Sequence, residues 1–493
     1  MGSATPPVSR LLAPMALALA ASSIAGAASA QAAAPQANVD AVQAQIDALQ
    51  AQVQLLQSQL NQMRSQAAAS SAAPAPTAPP AETKPATVAS LAQSAQAAAA
   101  PVAESEEEPS KAWYERLRLR GYTQLRYNGF LSGDDTAPDG LSRLRSVHDA
   151  SINESGGFSL RRVRLVLEGD VTDRVSLYLQ HDFGAAVNNQ SGTERRENFG
   201  QLRDAYVDVF PTRDRTVRIR FGQSKVPFGW ENLQSSSNRL TLDRSDAINS
   251  GVPGERDIGV VAYYTPTRVQ AIWDRLKEND QKLFGNYGAF GVGVYNGQGT
   301  NRTERNNSLM TVAMATWPFE LDGLGPMFEG QVLELGGSAM LNKFRPEIRA
   351  GGVSAVDYDD NRVGLHAILY PQPFGIQAEW SGGRGPEFDE TTRTIREQSL
   401  GGGYVQLMYD MGETAVGRVI PYARWQRYRG GWKASTNAPR LETDEFELGF
   451  EWHFMESLEL TTAYARMKRR EPDERRVGRA EGDLIRTQLQ WSY

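Results

Sequence analysis

Between Arg116 and Tyr493, apolar and polar side chains alternate residue by residue in short runs, broken by glycine-containing turns and polar segments. Successive side chains of a β-strand point to opposite faces, so strict alternation marks a strand with one apolar and one polar face. In RLRLRGYTQLRYN, Leu117, Leu119, Thr123, Leu125 and Tyr127 share one face. Arg116, Arg118, Arg120, Tyr122, Gln124 and Arg126 share the other. In FSLRRVRLVLEGD, Val163, Leu165 and Leu167 oppose Arg162, Arg164 and Glu168. The same dyad recurs in VSLYLQHDF, AYVDVF, TVRIRF, IGVVAYY, YGAFGVGVY, LMTVAMATWPF, FEGQVLELGG, VGLHAILY, FGIQAEW, GGGYVQLMY, VIPYARWQRY, EFELGFEWHF, LELTTAYARM and DLIRTQLQWSY, sixteen predicted strands in all.

Short turns, such as Val171-Thr172-Asp173 and Met455-Glu456-Ser457, alternate with longer polar segments. An even strand count with that rhythm predicts an all-β fold, a sixteen-stranded antiparallel transmembrane β-barrel over residues 112–493. Aromatic residues gather at strand ends, Trp317 with Phe319, Trp452 with Phe454 and Trp491 with Tyr493. Interfacial girdles account for that placement better than the core of a soluble β-sandwich does. The last strand alternates Ile485, Leu489, Trp491 and Tyr493 outward and ends on an aromatic, a common ending of outer-membrane proteins.

A different periodicity occupies the N-terminal region. Residues 1–30 carry Arg10, an apolar run from Leu11 to Ala27 and the small triplet Ala28-Ser29-Ala30, the pattern of a secretory signal that would leave Gln31 first. Val39, Val42, Ile46, Leu49, Val53, Leu56, Leu60 and Met63 then follow spacings of three and four, predicting a short periplasmic coiled-coil helix within residues 31–64. Residues 65–111, rich in Ala and Pro with acidic Glu104, Glu106, Glu107 and Glu108, read as a flexible linker.

Composition narrows the function classes. There is no cysteine, which removes disulfides and thiol-ligated metals and suits an exported protein. A formal net charge of -6 argues against nucleic acid as a partner. The four histidines stand in unrelated strands or loops, and no HExxH, P-loop or Ser-His-Asp spacing is present, so no enzyme, cofactor or metal is expected. Arginines greatly outnumber the eight lysines. On the lipid face of a barrel an arginine at the bilayer midplane costs roughly 2 to 4 kcal/mol, so Arg116, Arg118, Arg120, Arg126, Arg162, Arg164, Arg218 and Arg220 are expected to face the lumen. Such a track would prefer small anions. The alternative is a neutralised wall, with Glu168, Asp170, Asp182, Asp204 and Asp208 pairing with these arginines in a general diffusion pore.

FSLRRVRLVLEGD, with SLYLQHDFG, LRDAYVDV, VRIRFGQSKVPFGWENLQSSSN and ERDIGVVAYY, resembles the phosphate-selective porin O/P family. The resemblance implies a homotrimer in the outer membrane of a Gram-negative cell, with the third loop folded inward and arginines leading phosphate-like anions to it. It implies that Arg161 and Arg162 match the family's paired arginines, and Ser235 and Ser236 the loop serines of its phosphate site. Arg161 has the parity of the lipid face and reaches the lumen only through a bulge. Two family lysines are replaced, by Asn232 and Ser237, with Lys225, Arg239 and Arg244 as nearby candidates to compensate. The heptad residues mildly favour two strands, in tension with the implied trimer. A structural barrel tethered through the coil to the cell wall or a periplasmic partner is the remaining alternative.

Overall fold

The computed structural model describes Ser58 and residues 112–493, apart from 135, 139, 153–155, 186–198, 253 and 286. Apart from Ser58, the signal sequence, the coiled coil and the linker to 111 lie outside the described residues.

Sixteen long strands form one closed antiparallel barrel. They are β1 (Leu117–Asp134), β2 (Gly157–Thr172), β3 (Val175–Ala185), β4 (Phe199–Val209), β5 (Val217–Lys225), β6 (Arg256–Tyr264), β7 (Phe290–Tyr295) and β8 (Met310–Glu320). The second half is β9 (Val332–Leu341), β10 (Asn361–Leu369), β11 (Phe374–Asp389), β12 (Thr394–Tyr409), β13 (Gly417–Gly431), β14 (Arg440–Met455), β15 (Leu458–Arg470) and β16 (Ala480–Ser492). Each pairs with the next in sequence, and β1 pairs with β16, Leu125 opposite Leu489, to close the sheet. The two-residue segment Glu413–Thr414 adds a short extra pairing to β13. Every run of alternation in the sequence falls on one of these strands, because the two faces meet different surroundings and a slip of one residue would exchange them. Leu119, Phe221, Val260, Val292, Leu365 and Leu448 stay exposed on the outer face. The opposite parity, including Arg126, Arg162, Arg164, Arg220, Arg362 and Arg424, is buried toward the lumen.

The β1–β2 register carries the irregularity that Arg161 requires. Gln124 faces Arg162 while Leu125 faces Leu160, so Arg161 is the extra residue of a bulge. Its guanidinium turns inward, donating to the His148 carbonyl and standing 3.6 Å from Asp243.

Two connections fill much of the lumen. The third long loop, L3 (residues 226–255), carries α1 (Trp230–Leu233) and α2 (Asp246–Asn249), all of whose residues are buried. Its entry needs glycine: Gly229 has φ 85°, and a Cβ there would stand 2.2 Å from Ile248 Cγ2. The connection from β6 to β7 (residues 265–289), in which the strand pattern assigns no element, carries α3 (Thr267–Glu278). Val269, Ile272, Trp273 and Leu276 form its buried stripe and join Val226, Phe228, Trp230 and Leu233 of L3 in one apolar cluster.

Candidate anion constriction

L3 is tied to the wall by buried polar contacts, which fixes where its side chains can stand. The Glu379 carboxylate of β11 accepts the backbone N–H groups of Trp230 (2.6 Å) and Glu231 (3.1 Å). Glu231 in turn pairs with Arg424 of β13 at 2.6 Å and accepts the Ser245 N–H at 2.8 Å. Arg244 donates to Glu255 (2.6 Å) and to the Gln234 carbonyl (2.7 Å). Asp243 sits between Arg126 of β1 (3.0 Å) and Arg486 of β16 (2.5 Å), both of which also reach Asp149. Burial works against the Asp243 charge, but Arg126, Arg486 and Arg161 outweigh it and hold the carboxyl well below the usual carboxylate range. Buried charges of this kind persist only when paired and hydrogen-bonded.

Against that paired background a few cations stand out. Arg162 donates to the Gln124 Oε1 at 2.7 Å, its Nε has no partner, and among the described residues no carboxylate lies within ion-pair distance of it. The guanidiniums of Arg161, Arg239 and Arg164 act on it as like charges. Among the described residues Arg239 also forms no ion pair, reaching the Leu242 carbonyl at 3.5 Å with Nε and Nη1 lacking a hydrogen-bond partner, while Glu231, Asp243 and Glu255 act on it from farther off. Burial, then Arg244, pulls its guanidinium down to about 9, which leaves it charged at neutral pH. The loop serines stand beside this group. Ser236 Oγ lies 2.7 Å from the Tyr122 hydroxyl and accepts from Arg164 Nη1 at 2.9 Å, and Ser235 Oγ lies 2.9 Å from Ser237 Oγ.

The other sequence-predicted residues are placed differently. Arg126 is a fully buried anchor of L3 rather than an open wall residue. Arg118 and Arg120 have lumenal parity near the chain-end mouth and share the Glu168 carboxylate at 2.8 and 3.0 Å. Arg116 lies at the rim, bonded to the Val171 carbonyl at 2.8 Å and 3.5 Å from Asp173. Arg218 and Arg220 also have lumenal parity but are sealed in: Arg220 is bidentate to Asp208 (2.8 and 2.9 Å) and lies 3.7 Å from the Tyr206 ring centroid. Tyr287 of the β6–β7 connection covers it at 5.1 Å. Lys225 is buried beneath L3, donating to the Leu233 and Gln234 carbonyls at 3.2 and 2.7 Å. Asn232, at a family lysine position, pins L3 through the Phe228 and Ile248 carbonyls at 3.1 Å each. The acids foreseen for a neutralised wall are paired: Asp182 with Arg164, Asp204 with Arg256, Asp208 with Arg220, Asp170 with Arg215.

Above Arg161, Arg162 and Arg164, on the long-loop side, opens a vestibule of about 1030 Å³. Arg203, Arg302, Arg305, Arg345 and Arg349 line it together with Asp149, Asp182, Glu255, Glu347 and Asp473. A basic-rich funnel thus ends on Arg162.

Residues 143–493 match the family model described as phosphate-selective porin O and P. The chain belongs to that family. The barrel is therefore an outer-membrane channel, and its apolar outer face is the lipid face. Among solved structures, the porin is similar to the outer-membrane channel DcaP of Acinetobacter baumannii, at 15% identity over 76% of this chain and 97% of that one, TM-score 0.46. It is also similar to OprB of Pseudomonas putida (11% identity, 77% and 94% covered, TM-score 0.46) and to an anion-selective porin from Comamonas acidovorans (11%, 76% and 99%, TM-score 0.42). A search of curated protein sequences finds no match. The family assignment rests on the family model alone.

Sequence reasoning missed several of this porin's working residues. Asp243, Asp149 and Arg486 form the anchor of L3, yet each is an ordinary polar residue in its own stretch. The helix α3 had a readable signal, with Val269, Ile272, Trp273 and Leu276 at i, i+3, i+4 and i+7.

Proposed function

We propose that this porin passes small anions, with phosphate and related oxyanions as its preferred class, and that Arg162 and Arg239 beside Ser235 and Ser236 form the filter. The observation that carries this is the unpaired guanidinium pair. A buried cation without a counter-charge is costly, and an anion arriving between Arg162 and Arg239 would supply what the fold withholds. Arginine forks match oxyanions with two parallel hydrogen bonds, so they can stand in for the ammonium groups absent at Asn232 and Ser237. The serine hydroxyls would complete the shell. Arg161, Arg164 and the vestibule arginines then serve as the approach, concentrating anions above the filter.

The paired wall favours a second outcome, general diffusion with little selectivity, since most lumenal arginines are already compensated. A homotrimer, with the coil of residues 31–64 on the periplasmic side, belongs to this proposal too. Chloride current through the purified porin in a planar bilayer separates the two functions. Added millimolar phosphate is expected to block it, and Arg162→Ala is expected to relieve the block by about tenfold, the loss of one charge-assisted contact worth roughly 1.5 kcal/mol. An unblocked chloride current would leave only a general anion pore.

A further inference from the structure

The geometry points to a docking site for a phosphate-bearing lipid on the outside of the barrel wall, across β11, β12 and β13 at the end away from the short turns. Here the outward positions change from apolar to charged within a few rungs of the ladder. Ile376, Leu407 and Ala423 stand in register as one apolar row, followed by Ala378, Val405 and Trp425. Next come Trp380, Gly403 and Arg427, then Gly382, Gly401 and Arg429, and last Arg384 opposite Ser399. Aromatic rings mark the bilayer interface, so Trp380 and Trp425 set the depth: the apolar rows lie among acyl chains and the three arginines at headgroup level. The same end of β6, β7, β9 and β10 differs, since Ile258, Val294, Leu341 and Val363 there are exposed and apolar. The cations belong to one sector of the wall.

These arginines lack direct partners because the nearby acids are already engaged. Glu442 and Asp444 of β14 stand opposite Arg429 and Arg427 in register. Glu442, however, is bound by Arg440 (2.7 Å) and by Arg479, and attracts Arg429 only from farther off. Asp444 accepts from Trp425 Nε1 at 3.1 Å. Beyond them Glu481 holds Arg466 and Lys468, at 2.6 and 3.0 Å, and Asp483 accepts from the Tyr464 hydroxyl at 2.7 Å. Among the described residues Arg384, Arg427 and Arg429 make no side-chain hydrogen bond and no ion pair.

The wall between them is bare. Gly382 and Gly401 face each other without side chains, and a Cβ at Gly382 would meet only the Leu400 carbonyl, 3.8 Å away. Arg384 and Arg429 flank this window from strands two spacings, roughly 10 Å, apart. Trp380 and Trp425 form its lower edge, with ring centroids 6.2 Å apart. A phosphate monoester in the window would take paired N–H bonds from guanidinium forks on both sides, with its acyl chains running down past the indoles. Free phosphate would make the first contact without the second, so the occupant is an anionic lipid with a phosphorylated headgroup. The site faces away from the lumen and stands or falls apart from the anion filter.

Native mass spectrometry of the purified porin, titrated with diphosphoryl lipid A in non-ionic detergent, reads lipid occupancy and subunit number in one spectrum. The wild type is expected to bind this lipid about tenfold more tightly than dephosphorylated lipid A, and Arg427→Ala with Arg429→Ala to abolish that preference. Gly382→Leu fills the window, keeps every charge and is expected to weaken binding about tenfold as well. Arg466→Ala with Lys468→Ala removes cations that already have Glu481 and is expected to bind as the wild type does. Inorganic phosphate at equal concentration is expected to leave the lipid bound. Equal binding by the wild type and the Arg427→Ala, Arg429→Ala variant, or displacement by inorganic phosphate, would overturn the lipid site. So would loss of subunits from that variant with lipid binding unchanged, which would make this face a contact between copies of the chain.

Discussion

Replacing both Arg162 and Arg239 with glutamate is expected to turn the pore from anion-preferring to cation-preferring. Each substitution exchanges a buried positive charge for a negative one where L3 meets the β1–β2 wall. At an effective dielectric of about 20, a unit charge roughly 7 Å from a permeating ion contributes about 2 kcal/mol. Reversing two such charges therefore exceeds by far the 1.4 kcal/mol that makes a tenfold change in a permeability ratio. The same exchange at Arg218 and Arg220 is expected to leave the preference unchanged in any folded protein, because Asp208, Tyr206 and Tyr287 separate them from the path. Potassium-to-chloride permeability ratios of the two double variants, measured side by side, check this contrast. A cation preference produced equally by both would show that position along the wall does not matter.

The largest structural effect is expected from Asp243→Ala. Arg126 and Arg486 share two carboxylates, Asp243 and Asp149, in a site closed to water. Removing Asp243 leaves Asp149 as the one carboxylate shared by the two buried guanidiniums, with Glu447 3.5 Å from Arg486 alone, and releases the centre of L3 from the β16–β1 seam. Breaking a buried pair by deleting one partner typically costs about 3 to 5 kcal/mol. The barrel itself is held by its ladder and is expected to survive, so the loss falls on L3. Open-channel current is expected to become noisy and larger, and the temperature at which the folded barrel unfolds in detergent to drop. Asp243→Asn keeps an acceptor for one arginine and is expected to show a smaller change in both.

Local chemistry made the strands legible. Alternation in FSLRRVRLVLEGD assigns Arg162 and Arg164 to the lumen and demands a bulge at Arg161, and the register supplies one. What local pattern does not contain is which partner arrives from elsewhere in the chain. Arg126, Arg162 and Arg220 share a parity and a residue type, yet the first anchors L3, the second stands unpaired and the third is sealed under Tyr287. Their different fates depend on Asp243 and Tyr287, which reach Arg126 and Arg220 only when the connections fold inward, whereas Asp208 faces Arg220 directly across the β4–β5 ladder. The helix α3 is a separate case, since its 3.6-residue period was present but lay between two runs of strand alternation.

The unpaired guanidiniums are the central claim, and the sign of the wild-type pore's reversal potential tests it most directly. Across a bilayer with a tenfold gradient of potassium chloride, the purified porin is expected to give a zero-current potential on the chloride side of zero. A potential on the potassium side would contradict the role assigned to Arg162 and Arg239.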